Sequence, residues 1–235
     1  MSVENEPEPP ADAEGQAPPQ GAGPKSFRAR LAENDTAKAR RKAEFNLSRA
    51  WGLLRDPRAE WEQIRAEETN VPSILLGYVL PLAAIIPICS VLGATVFGER
   101  IGEATVRTDF GRTLVGAVVT FAAIIALVYF IGILINAIAE NFDAERDDLS
   151  AQKVAAYSMT PFLLSGVFWL WPPLWWATLL GVGATAFLFY RGLPPLMKAS
   201  PERAMGYAAT IMIAGLVAFI ILFALAGCVT QVGRI

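Results

Sequence analysis

The sequence predicts an all-α membrane protein, a bundle of five transmembrane helices behind a disordered N-terminal tail and short interfacial helices. Three observations lead there. Hydrophobic residues make up 54% of the 235 residues and charged residues only 18%, where an ordinary soluble domain carries about 25% charge. Five long apolar runs, 71–97, 113–139, 154–170, 174–190 and 204–228, contain no Asp, Glu, Lys or Arg. The charges collect instead before residue 70 and in the gaps between runs.

The tail comes first. Residues 1–24 hold five acids, six prolines and no basic residue, too little apolar surface to offset the entropy of ordering, so residues 1–43 are expected to be disordered. Within that tail the charge reverses. Lys25, Arg28, Arg30, Lys38, Arg40, Arg41 and Lys42 face only Glu33 and Asp35. Such a strip suits an anionic leaflet, at about 1 kcal/mol per basic residue near the surface. It equally suits a solvated determinant of topology.

Residues 44–70 read as two amphipathic interfacial helices. Phe45, Leu47, Trp51 and Leu54 recur at helical spacing, and Asp56-Pro57 supplies an N-cap followed by proline at the first helical position. Trp61 and Ile64 make an apolar edge beside Glu60, Glu62 and Arg65. Two placements follow from this pattern: flat in the headgroup layer, or packed on the loops of the same protein.

The transmembrane domain spans 71–228. A helix needs about 20 residues to cross about 30 Å of hydrocarbon, which the first, second and fifth runs exceed. The third and fourth, joined only by Trp171-Pro172-Pro173, sit at the short limit and form either two full crossings or a re-entrant hairpin. Trp169, Trp171, Trp175 and Trp176 cluster at this turn as an interfacial belt would, which favours full crossing. Pro81, Pro87 and Pro161 fall inside runs and predict kinks. Ala177 with Gly181, and Ala214 with Ala218, predict close helix packing.

Basic residues orient the bundle. With the N-terminus inside, 16 Lys and Arg lie on inner segments and four on outer ones. The expected topology is therefore N-terminus cytoplasmic and C-terminus periplasmic.

The same residues argue against several activities. Histidine is absent, removing the commonest general base and metal ligand. Cys89 and Cys228 show no metal-ligand spacing and read as buried thiols. Phosphate-binding loops, dinucleotide fingerprints and zinc-protease motifs are missing. Charge-free spans argue against coupled ion transport, which places ionisable groups at membrane depth. Lys153 and Ser158, five apart on a helix, do not share a face well enough for a Ser-Lys dyad; Lys153 reads as an interfacial lysine. The expectation is no catalytic residue, no cofactor and no metal site. A net charge of −2 gives no reason to expect nucleic acid as a partner.

The ordered motifs carry a resemblance. Pro57-Arg58-Ala59-Glu60-Trp61-Glu62-Gln63-Ile64 leads into Tyr78-Val79-Leu80-Pro81-Leu82. Ala156-Tyr157-Ser158-Met159-Thr160-Pro161, the Pro172-Pro173 turn and Tyr190-Arg191-Gly192-Leu193-Pro194 follow, and Pro201-Glu202-Arg203-Ala204-Met205-Gly206-Tyr207 closes the series. Over roughly residues 45–228 this order resembles bacterial members of the Yip family, the Ypt/Rab-interacting-protein-like membrane proteins. The resemblance implies a five-span bundle in a bacterial inner membrane and no catalytic residues. The eukaryotic relatives bind Rab GTPases, but the acidic motif they carry before the first span is missing here, so Rab binding is not expected. Trp61, Pro81, Tyr157, Pro161, Gly192, Pro194, Gly206 and Tyr207 are the candidate interface or structural positions. Between spans four and five, Gly192 is expected to end a helix, with Leu193-Pro194-Pro195 preventing its continuation, and Ser200-Pro201 to start the next. The functional expectation is a non-enzymatic membrane organiser or partner-binding scaffold whose partners are the lipid bilayer and membrane proteins, itself included. The alternatives are a permease or channel for a small or apolar solute, and lipid handling by the Trp-rich short spans.

Overall fold

The computed structural model of the chain describes residues 47–97, 99–101, 104–106 and 110–232. The expectations for the tail and its basic strip lie outside the described residues.

Helix α1 covers 47–55 and α2 covers Pro57–Ala66. The break between them has a local cause. Asp56 turns out of the helix and its carboxylate accepts from the Ala59 amide at 3.3 Å, while Pro57 occupies a position that needs no N–H. Asn70 repeats the device for α3, accepting from the Ser73 amide at 2.9 Å.

Helix α3 runs Val71–Phe97 but irregularly, widening at Leu75–Val79 and at Gly93–Phe97 and breaking at Ala84. Pro81 and Pro87 cannot donate to the ladder, which accounts for distortion beside each. A short antiparallel hairpin follows, Glu99–Ile101 as β1 and Ala104–Val106 as β2, with Glu99 opposite Val106. The all-α expectation missed it because three-residue strands leave no readable alternation.

Helix α4, Phe110–Ile138, ends in a tight turn over Ala139–Phe142 and a left-handed Asp143. Next come α5, Asp148–Ser158, and α6, Thr160–Leu164, separated at Met159. The chain then tightens into two 3₁₀ turns, Ser165–Leu170 and Pro172–Ala177. Helix α7 is Thr178–Met197 and α8 is Pro201–Val232. In the bundle, α4 packs on α5 and α8, and α7 packs on α5, α6 and α8.

Among the described residues, four helices are long and apolar enough to cross a membrane: Val71–Phe97, Thr113–Phe142, Pro173–Met197 and Pro201–Leu225. The expected count was five. The missing one, 154–170, is interrupted where Pro161 opens a new helix after Met159. The chain leading into it also carries Asp148, Gln152 and Lys153. A correction concerns Gly192-Leu193-Pro194-Pro195. Helix α7 does not stop there but runs through both prolines to Met197 and ends on a left-handed Lys198. Pro194 and Pro195 cannot donate to the carbonyls of Tyr190 and Arg191, so the helix completes its last turn without those two ladder bonds.

The burial pattern is that of a membrane protein. Leu114, Val118, Ile133, Leu180, Ile213 and Ile220 face outward, whereas Arg49, Gln152, Lys153, Ser158, Thr160 and Thr185 are buried. So extensive an apolar sheath suits lipid rather than water.

Candidate functional site

The most polar part of the interior lies where α1 and α2 meet α5. Every residue from Ala151 to Pro161 is buried, Lys153 among them. Its ammonium donates to the Ile64 carbonyl at 2.9 Å and to the Glu67 carbonyl at 2.6 Å. These carbonyls stand at the C-terminal end of α2, where ladder donors run out and the helix dipole is negative. The expected interfacial lysine is therefore an internal clamp on α2.

Arg49 on α1 adds a second cation. It bonds Glu67 at 2.8 Å, approaches Glu60 at 3.4 Å, and lies 5.7 Å from the centre of the Tyr157 ring. Two carboxylates thus balance two buried cations, as burial of charge requires. Tyr157 packs on Tyr78 with ring centres 4.6 Å apart. Thr160 spends its hydroxyl proton on the Tyr157 carbonyl at 2.7 Å, so the Tyr78 hydroxyl is the donor in their 2.8 Å contact.

Trp61 completes the attachment. Its indole is 1% exposed and fills the hollow above Gly192, where a Cβ would stand 2.6 Å from Cζ2. Only the absent side chain lets α2 sit so close to α7.

A second polar seam joins α4 to α5. Gln152 donates to the Tyr129 carbonyl at 3.0 Å and occupies the space Gly132 leaves free. One turn away Asn136 donates to Asp148. Asp147 caps α5 by accepting from the Leu149 and Ser150 amides. The Ser150 hydroxyl leads the interactions that hold its carboxyl below the usual aspartate range, the two amides and Lys153 adding to it.

Of the sequence-predicted positions, Trp61 and Gly192 meet, and Tyr157 joins the clamp. Tyr207 instead ties α8 to α4, donating to the Ile135 carbonyl and stacking on Phe142 at 4.7 Å. Pro161 starts α6 within the core. Pro194 is half-buried in the last turns of α7, and Pro81 and Gly206 are exposed. Arg49, Glu60, Glu67 and Lys153 were not singled out as a group. Lys153 and Ser158 form no dyad: Lys153 is committed to the α2 carbonyls, and the buried Ser158 hydroxyl has no hydrogen-bond partner among the described residues. Among those residues no group of three or more His, Cys, Asp or Glu could hold a metal, and Cys89 is a free thiol.

Comparison with known proteins agrees with this architecture. The family model of the Yip1 domain matches residues 51–222. Inner membrane protein YohC of Escherichia coli strain K12 is 28% identical over 183 residues, covering 76% of this chain and 94% of the relative. The same figures hold for YohC of E. coli strain O6:H1. No solved structure matches the chain.

Proposed function

The chain belongs to the Yip1 domain family, and from that premise we propose that it is a non-enzymatic organiser of the membrane, a scaffold that binds other membrane proteins or further copies of itself. The observation that carries this reading is the closed centre of the bundle. Ser158 and Thr160 would have to line any solute path through the third segment, yet both are fully buried, and Thr160 is bonded to Tyr78 and Tyr157. Asn136 stands near the end of α4 and bonds Asp148 rather than facing a channel. A transporter needs a polar route between the two sides. The tightly packed interior favours a protein that acts through its surfaces.

Five crossings remain the better reading of the topology. Helical chain from 148 to 170 extends roughly 35 Å at 1.5 Å per residue, enough to traverse the hydrocarbon. The four tryptophans at its far end are all exposed, which suits the opposite headgroup layer. An odd number of crossings puts the termini on opposite sides, and the basic-residue excess assigns the N-terminus to the cytoplasm. The inner-membrane designation of YohC supports that membrane as the location.

Crosslinking in native membranes tests the scaffold. The expected result is a reproducible protein partner or a self-crosslink. Solute flux into proteoliposomes, with no crosslinked species, would overturn it. Cysteine accessibility at residues 146 and 171 tests the topology, which requires labelling from opposite faces.

A further inference from the structure

Helix α1 has two apolar faces and the bundle uses only one. Ala50 and Leu53 are buried against the core. Leu47 and Trp51 are each 65% exposed and Leu54 45%. At 100° per residue, positions 47, 51 and 54 share an arc of roughly 60°, turned away from 49 and 53. Arg55, also exposed, borders that arc. The stripe is not free to roll inward, because Arg49 on the opposite face is held by Glu60 and Glu67, and α2 is in turn held by Lys153 and by the hollow at Gly192.

We propose that α1 is an interfacial anchor that lays Leu47, Trp51 and Leu54 into the headgroup layer of an anionic bilayer. This rests on the reading of the chain as a membrane protein and specifies which lipid its surface selects. The occupant follows from charge. The sequence leading into α1 carries seven basic residues against two acids between positions 25 and 42, and Arg55 extends the positive border. A polybasic stretch followed a few residues later in the chain by an apolar stripe with a tryptophan is the combination that binds anionic headgroups while burying side chains at the acyl boundary. The clamp fixes the angle at which the stripe is presented, so the lipid meets a surface already formed.

The test uses the full-length protein reconstituted into phosphatidylcholine vesicles and into vesicles containing phosphatidylglycerol, both with brominated acyl chains. Subtracting the emission of Trp51→Phe isolates the Trp51 signal. The expected result is a blue shift and about twofold stronger quenching in the anionic vesicles, weakening near 1 M salt where the screening length falls to about 3 Å. Leu47→Ser combined with Leu54→Ser abolishes the difference while leaving insertion intact. Equal access of iodide to Trp51 in both vesicles would overturn the proposal. So would a blue shift that follows protein density instead of lipid charge, which would assign the stripe to a second copy. Failure of the protein to float with either vesicle would refute membrane residence itself, a separate and earlier result.

Discussion

Adding one methyl group at Gly192 probes the seat of α2 directly. A Cβ there would lie 2.6, 2.8 and 2.9 Å from Cζ2, Cε2 and Cη2 of Trp61. All three belong to one rigid ring, and Trp61 is almost completely enclosed, so neither a rotamer change nor displacement into solvent relieves the overlap. Overpacking of this kind costs about 1–3 kcal/mol. At about 2–4 °C per kcal/mol for a domain of this size, Gly192→Ala lowers the thermal midpoint in mild detergent by on the order of 5 °C. Trp61→Leu is itself destabilising, by about 3 kcal/mol, because it opens a cavity. In that background the methyl enters vacated space and Gly192→Ala costs close to nothing, giving a coupling of about 1–3 kcal/mol in the double-mutant cycle. Far-UV circular dichroism on heating, with all four proteins in the same detergent, reads the cycle. An equal loss from Gly192→Ala in both backgrounds would show that the glycine serves α7 alone, and the knob-in-hollow argument would fail.

Lys153→Met removes the donor to the Ile64 and Glu67 carbonyls and leaves Arg49 facing two carboxylates; a loss of about 2–4 kcal/mol is expected, with faster proteolysis between residues 56 and 70 as its signature. Asp147→Ala removes the α5 cap at about 1 kcal/mol. Because the native Asp147 carboxyl lies below its ordinary value of 3.8, its contribution is complete above that pH and is lost as pH falls through the native value; acid titration of stability should show this step in the wild type and not in the variant. Tyr78→Phe deprives Thr160 of a donor and costs about 1 kcal/mol, whereas Thr160→Val strands both the Tyr78 hydroxyl and the Tyr157 carbonyl and costs more; thermal midpoints rank the two.

What could be read from the sequence was local. Charge-free runs marked five spans, four of which are long apolar helices among the described residues, because a helix crossing lipid satisfies its backbone internally and needs only apolar side chains. Asp56-Pro57 announced the start of α2 because a cap is written in adjacent residues. Pro194-Pro195 misled because each proline removes a ladder bond without forbidding helical dihedrals, and α7 runs past them before ending at Met197. The clamp stayed hidden for a different reason. Lys153 reaches carbonyls 86 and 89 positions earlier, and no periodicity encodes that distance. Its neighbours made it resemble a lysine guarding the end of a span. Gly192 likewise looked like a helix terminator, since nothing in the adjacent residues reveals an indole brought in from another helix.

The broken third segment and the N-terminal helices explain each other. A segment entering the bundle with Asp148, Gln152 and Lys153 on its first turns cannot face lipid there, so these side chains need protein partners. Gln152 and Asp148 find theirs on α4. Lys153 has carbonyls waiting only because α2 ends beside it. Those carbonyls in turn have a donor only because a lysine enters the bundle at that depth. Neither helix would be well satisfied without the other, and Arg49 extends the dependence to α1 through Glu60 and Glu67. Residues 47–66 are therefore part of the bundle's own polar economy, not a flexible leader attached to it. The link from α1 to α5 therefore runs in two steps, from Arg49 to Glu60 and Glu67 and from the Ile64 and Glu67 carbonyls to Lys153.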